Sequence, residues 1–126
     1  MRKLLVVDDD EMVRACVTAC LKAVGFEVIE AENGLEALEK YSSQGGEISL
    51  VIMDVTMPKL DGIDAAKRIR EINPSSKVIL MSGSSGRSPY EAKPDVFLPK
   101  PFRGKELYEA IRQVLGTHES PTYVAS

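Results

Sequence analysis

An α/β fold with a five-stranded parallel sheet and helices on both faces is what this 126-residue chain predicts. Three observations lead there. Short apolar runs alternate with segments of helical period from end to end; the runs are apolar at nearly every position; and several end on a polar residue, Asp8, Asp54 or Ser82. A strand apolar at every position is covered on both sides, which is the signature of parallel sheets in α/β proteins.

The elements follow in order. Leu4 to Val7 reads as a first strand, and Val13, Cys16, Val17, Cys20, Leu21 and Val24 then recur at three and four, a helix that stops at Gly25. Phe26 to Ala31 is a second strand, and the Asn33-Gly34 turn opens a helix whose stripe is Leu35, Leu38 and Tyr41. After the polar break from Ser42 to Glu47, Ile48 to Met53 is a third strand. Asp61 with Asp64 marks a capped helix start, and Ile63, Ala66, Ile69 and Ile72 form its inner stripe until Asn73-Pro74 ends it. Val78 to Met81 is a fourth strand.

The next stretch breaks the rhythm. Residues Ser82 to Pro89 are mostly small and polar and Pro94 follows, so the fourth helix is expected to be short or degenerate. Asp95 to Leu98 makes a fifth strand, and Leu107, Ala110, Ile111, Val114 and Leu115 mark a last amphipathic helix ending at Gly116. Residues 1–116 therefore read as one domain and 117–126 as a flexible tail.

Composition narrows the function classes. A net charge of −3 without a Lys/Arg stripe excludes a nucleic-acid surface, and the longest apolar runs are far too short to span a membrane. The expected location is the cytoplasm. Cys16 and Cys20, four apart on a helix, read as small reduced core residues; the single histidine, His118, lies in the tail and completes no metal set with them.

Right-handed crossovers with helices on both faces favour a flavodoxin-like, three-layer arrangement with strand order 2-1-3-4-5. In that order the carboxyl ends of the first and third strands are neighbours and carry Asp8, Asp9 and Asp54. The fourth and fifth strands end on the same side with Ser82 and Lys100. Topology thus gathers five polar residues in one crevice. Each carboxylate pair at ~5 Å and an effective dielectric near 20 costs roughly 3 kcal/mol, a cost that a divalent cation relieves.

Oxygen donors from Asp9, Asp54 and the backbone carbonyl of Thr56, with waters, suit Mg2+ or Mn2+, and Asp8 would hold a metal-bound water. One Asp54 oxygen then remains free to attack a phosphoryl group, with Lys100 facing the new dianion and Ser82 donating a hydrogen bond to it. Each residue has a plainer reading taken singly. Asp10 keeps such a reading, as a helix cap, and Asp61 and Gly62 shape a helix start.

These residues resemble the receiver domains of two-component response regulators over Lys3 to Leu115. Leu4 to Asp10 is similar to the family's acidic start, Asp54-Val55-Thr56-Met57-Pro58 with Asp61-Gly62 to its phosphoacceptor segment, Met81-Ser82-Gly83 to its hydroxyl position, and Phe97 to Phe102 to its aromatic, lysine and proline segment. The resemblance implies a regulatory phosphoacceptor rather than an enzyme: Asp54 takes phosphate from a sensor histidine kinase or a histidine phosphotransfer protein, and Ser82 and Phe97 move together to signal to an unknown downstream protein. It also implies a cis Lys100-Pro101 bond and positions at Thr56 and Ser84 that tune dephosphorylation. The short segment from Ser82 to Lys100 departs from the family, and Phe97 lacks a phenolic hydroxyl.

Three alternatives compete. A haloacid dehalogenase-like phosphatase needs a second acid where this chain has Thr56, a flavin binder would not place three acids after its first strand, and a pseudo-receiver scaffold binding partners without phosphate would have no need of the acids, the hydroxyl and the lysine together.

Overall fold

The protein is described by a computed structural model, in which residues 2–44, 46–83 and 87–116 are placed. Its order is β1 (Lys3–Val7), α1 (Glu11–Ala23), β2 (Glu27–Ala31), α2 (Gly34–Ser43), β3 (Ile48–Asp54), α3 (Gly62–Ile72), β4 (Val78–Ser82), a single 3-10 turn (Pro89–Ala92), β5 (Val96–Pro99) and α4 (Gly104–Leu115). All four strand pairings are parallel and the sheet order is β2-β1-β3-β4-β5. Both expectations hold.

The continuous apolar runs divide by parity. Leu5, Val7, Val51, Met53, Val78 and Leu80 face one way and pack with Ala37 and Tyr41 of α2 and Ile63, Ala66 and Ile69 of α3. Leu4, Val6, Leu50, Ile52, Ile79 and Met81 face the other way, against Val17 and Leu21 of α1 and Leu107, Ala110 and Ile111 of α4. Every one of these strand residues is fully buried. Full burial of a Val or Leu side chain contributes about 1.5–3 kcal/mol, so the two layers hold the strand ends rigidly in place.

The caps predicted at Asp10 and Asp61 form, and Asn33, read as a turn residue, caps its helix as well. Asp10 accepts from the amides of Met12 and Val13, Asn33 from Glu36, and Asp61 from Asp64. Each satisfies amides that the first helical turn leaves without a partner. Strand and helix ends lie within a residue or two of expectation.

Three stripes differ from it. Cys16 is exposed and Cys20 half-buried, so they are not a core pair. The buried line of α1 runs through Val17 and Leu21, and Cys16 sits a 100° step to the side of it. Leu35 is 48 % exposed because the inward line of α2 is Gly34, Ala37 and Tyr41. Ile72, 51 % exposed, is the last residue of α3 and lies past the edge of the layer that buries Ile69.

The segment between β4 and β5 carries one 3-10 turn among its described residues, in keeping with the degenerate helix expected there. Ser88 caps it by accepting from the Tyr90 amide, and Lys93, in the left-handed region at φ 50°, ends it. Arg87 secures the turn from outside, with guanidinium nitrogens 2.8 Å from Asp61, 3.1 Å from Asp64 and 2.9 Å from Glu91. Its hydrogen bonds hold the Asp64 and Glu91 carboxyls below their usual range. Arg87→Ala is expected to speed hydrogen exchange at the Glu91 and Lys93 amides, which close this turn onto Ser88 and Tyr90. Unchanged protection there would contradict the clamp.

The Lys100-Pro101 bond is cis, as the resemblance implied. Among the described residues no helix is long and apolar enough to cross a membrane. The tail at 117–126 and Ser84 lie outside the described residues.

Candidate functional site

The strand register assembles the crevice. Val7 pairs with Met53, so one step further on Asp8 lies beside Asp54; Asp54 itself pairs with Met81, and Ser82 with Pro99. Asp8 is completely buried, Asp54 and Ser82 are nearly so, and Asp9 faces solvent. Carboxylate oxygens of Asp8, Asp9 and Asp54 all lie within 4.8 Å of one another. The Lys100 ammonium enters from the end of β5, 2.9 Å from Asp8 Oδ2 and 3.2 Å from Asp54 Oδ1. Its amide donates to the Ser82 carbonyl at 2.8 Å, which ties the lysine to the end of β4.

Asp8 is held at several atoms. Its amide donates to the Ala31 carbonyl, Oδ1 accepts from the Asp10 amide at 2.9 Å, and Oδ2 accepts from Lys100. It is a fixed anchor for the lysine. Asp54 has more freedom, with one oxygen near Lys100.

Burial pushes the Asp54 carboxyl up to about 6; Lys100 opposes the shift, and Asp8 and then Asp9 add to it. Burial also works against the charge on Lys100. Its hydrogen bond to Asp8 and the fields of Asp54 and Asp8 outweigh that and raise its pKa.

The sign of the resulting pH dependence follows from Asp54. Without metal, the folded protein retains a proton there that the unfolded chain has released, so Asp54 lowers stability as pH rises from about 4 to about 6. With allowance for water at the crevice mouth the loss is about 1–2 kcal/mol. Urea denaturation in EDTA across that range checks it. Wild type and Asp54→Asn should converge near pH 4 and separate by pH 7, and parallel curves would refute the assignment.

Three carboxylates against one ammonium leave about two uncompensated negative charges in the crevice above pH 6. A set of oxygen donors this close, with Asp9 open to solvent, fits a hard divalent cation such as Mg2+ and offers nothing to a soft one. Thr56 is exposed just beyond Asp54, at the mouth. Phe97 is half-buried on β5 against the α2–α3 layer, and its ring meets Tyr90 edge-on at 5.7 Å.

Two features escaped the sequence. Gly62 packs so tightly under Asp54 that a Cβ there would fall 2.2 Å from the Asp54 carbonyl oxygen, and Gly34 bears equally on Leu60. A glycine opening a helix gave no hint of this. The second is a groove of about 550 Å3 beside Lys100, between Met12, Val13 and Cys16 on α1 and Pro101 and Phe102. Met12 and Cys16, both exposed, border it from one side.

Comparison with known proteins agrees with this geometry. The family model described as the response regulator receiver domain matches residues 4–112. The chemotaxis protein CheY of Bacillus subtilis is 38 % identical over 90 % of this chain and 97 % of its own length. The sensor kinase CckA of Brucella abortus is 37 % identical over 89 % of this chain, which spans 12 % of that protein. The response regulator protein TrrA of Thermotoga maritima, solved in complex with Mg2+ and BeF, superimposes with a TM-score of 0.82 at 36 % identity, covering 91 % of this chain and 100 % of that one. TrrA has also been solved in complex with the histidine kinase ThkA, with a TM-score of 0.80 at 36 % identity over 92 % of this chain and 100 % of TrrA. With its sheet order, its gathered carboxylates and its lysine, this chain belongs to the response regulator receiver domain family of two-component signalling.

Proposed function

We propose that this receiver takes a phosphoryl group onto Asp54 from a phosphohistidine of a sensor histidine kinase or a histidine phosphotransfer protein. The observation that carries the proposal is the Asp54 carboxylate itself, buried at the end of β3, 3.2 Å from the Lys100 ammonium and grouped with Asp8 and Asp9. An Asp54 oxygen attacks phosphorus; the O–P bond forms, the P–N bond breaks, and the electron pair leaves with the imidazole nitrogen, which takes a proton from solvent.

Asp9, Asp54 and the Thr56 carbonyl would hold Mg2+, or Mn2+ in its place, with Asp8 reaching it through water. The cation supplies charge neutralisation for the transferring oxygens when bound. The chain's own groups do the positioning. Asp8 anchors Lys100 while its ammonium exchanges the Asp54 carboxylate for the arriving dianion, and the Ser82 hydroxyl donates to a phosphoryl oxygen. Phe97, two residues before Pro99, which pairs with Ser82, then repacks against Tyr90, shifting a pre-existing equilibrium toward the form a downstream protein reads.

Support for the kinase partner comes from the histidine kinase complex of TrrA, and for the cation from TrrA with Mg2+ and BeF. The protein acts here as a regulatory acceptor. Incubation with acetyl phosphate and Mg2+ is expected to add the mass of one phosphoryl group, and EDTA to abolish the addition. No adduct in Mg2+ would sink the proposal.

A further inference from the structure

Behind the acidic turn stands Arg14, which touches its backbone. It stands on α1, whose first turn is rigid, since Asp10 caps it and the Arg14 amide donates to the Asp10 carbonyl at 2.9 Å. From there its guanidinium reaches back over the end of β1. Nη1 donates to the Asp8 carbonyl oxygen at 2.7 Å, and Nε donates to Glu30 Oε1 on β2 at 2.9 Å. Lys40 of α2 donates to the backbone carbonyl of Glu30 and fixes that residue in turn.

The Asp8 carbonyl is part of the planar peptide that joins Asp8 to Asp9. Holding its oxygen fixes the orientation of that plane and so the direction in which Asp9 leaves the strand. The Asp8 amide is already held by Ala31 on β2 and its carboxylate by Lys100 and the Asp10 amide. The carbonyl is the remaining polar group of Asp8, and the residue it leads into, Asp9, bears the one solvent-facing carboxylate of the three.

We infer that Arg14, oriented by Glu30, is a positioning residue for the cation site: it presets the Asp8–Asp9 peptide so that the Asp9 carboxylate meets those of Asp8 and Asp54 before metal arrives. The inference rests on the proposed cation site and deepens it. Arginine suits the task because its fork spans two acceptors in fixed geometry, whereas a single ammonium spans one. Orienting groups behind metal ligands typically affect metal affinity by 10–100-fold, so the loss here is measurable.

Charge and geometry must be separated, because removing a cation near three carboxylates would by itself favour metal. The variant Arg14→Gln/Glu30→Gln leaves the net charge unchanged. Mn2+ binding followed by electron paramagnetic resonance, with Mg2+ competition and thermal unfolding in EDTA, is the test. Relative to wild type the double variant is expected to bind Mn2+ about tenfold more weakly, with metal-free unfolding little changed. Wild-type affinity would overturn the inference. Arg14→Lys, which retains charge and one donor, is expected to lose about threefold and carries the test if the double variant does not fold; unchanged affinity there would equally overturn it. Asp9→Asn is the control on the site: if it binds Mn2+ as well as wild type the site reading fails, whereas normal weakening by Asp9→Asn beside full binding by the Arg14 variants defeats the inference alone.

Discussion

Asp54→Asn is expected to accept no phosphoryl group from acetyl phosphate and Mg2+ while remaining folded and becoming more stable at pH 7. The loss is complete because the amide has no anionic oxygen to attack phosphorus, and neither Asp8 nor Asp9 can substitute. Asp8 is fully buried and already engaged at both oxygens, and Asp9 lies outside the Lys100 ion pairs. The gain has the opposite origin. Burial holds the Asp54 carboxyl near 6, so at pH 7 the folded protein carries an ion that its surroundings disfavour, at a cost of about 1–2 kcal/mol. Asparagine removes that cost, and Lys100 keeps Asp8 as its partner at 2.9 Å. Intact mass and urea denaturation report the two halves separately. An adduct of wild-type yield in the variant would move the acceptor elsewhere, and lower stability at pH 7 would mean that the Lys100 pair outweighs the burial of Asp54.

Gly62→Ala is expected to cost about 2–4 kcal/mol and to lower the melting temperature by on the order of 10 °C. The reason is local. A methyl group at this position would sit 2.2 Å from the Asp54 carbonyl oxygen, 2.9 Å from its carbon and 3.0 Å from the Val55 Cα, all backbone atoms that cannot rotate away. Relief requires the first turn of α3 to lift from the end of β3, which breaks the 2.7 Å hydrogen bond from the Gly62 amide to the Val55 carbonyl. The same shift moves Asp54 relative to Lys100. The variant should therefore accept phosphoryl groups more slowly even below its melting temperature, and calorimetry with a timed mass assay tests both. Wild-type melting would mean that the loop after Asp54 yields easily.

The two effects differ in how far the sequence announces them. Asp54 is conspicuous because a carboxylate closing an apolar run is unusual and because strand order brings the ends of β1, β3, β4 and β5 together. Once five buried runs are seen, parallel pairing and right-handed crossovers leave few orders to consider. Gly62 is marked only by its place beside Asp61 in the resemblance, which says nothing of what lies beneath it. As the first residue of a capped helix it is compatible with many surroundings, and only the backbone of Asp54 passing beneath it makes the hydrogen atom indispensable.

Helix stripes were legible to the extent that the sheet is wide enough to cover them. Val17, Leu21, Ile63 and Ile69 are buried as their spacing requires. Leu35, Ile72 and Cys16 obey similar spacing yet lie off the contact line, because periodicity identifies a face but not the width of what covers it. The segment after Ser82 was readable in the negative: its small residues and prolines disfavour a helix. What holds the turn at Pro89–Ala92 instead, Arg87 among Asp61, Asp64 and Glu91, spans residues distant in the chain.

The amino-acid sequence by itself determined the elements, the sheet order and the membership of the crevice, because burial on both faces writes itself into consecutive apolar residues and strand order follows from chain geometry. Tertiary structure alone decided the electrostatics: Asp8 anchors the lysine, Asp54 is the reluctant anion, and Arg14 holds the carbonyl between Asp8 and Asp9. Those outcomes turn on separations of about 3 Å between groups remote in sequence, where Coulomb and hydrogen-bond energies vary steeply with distance and local burial.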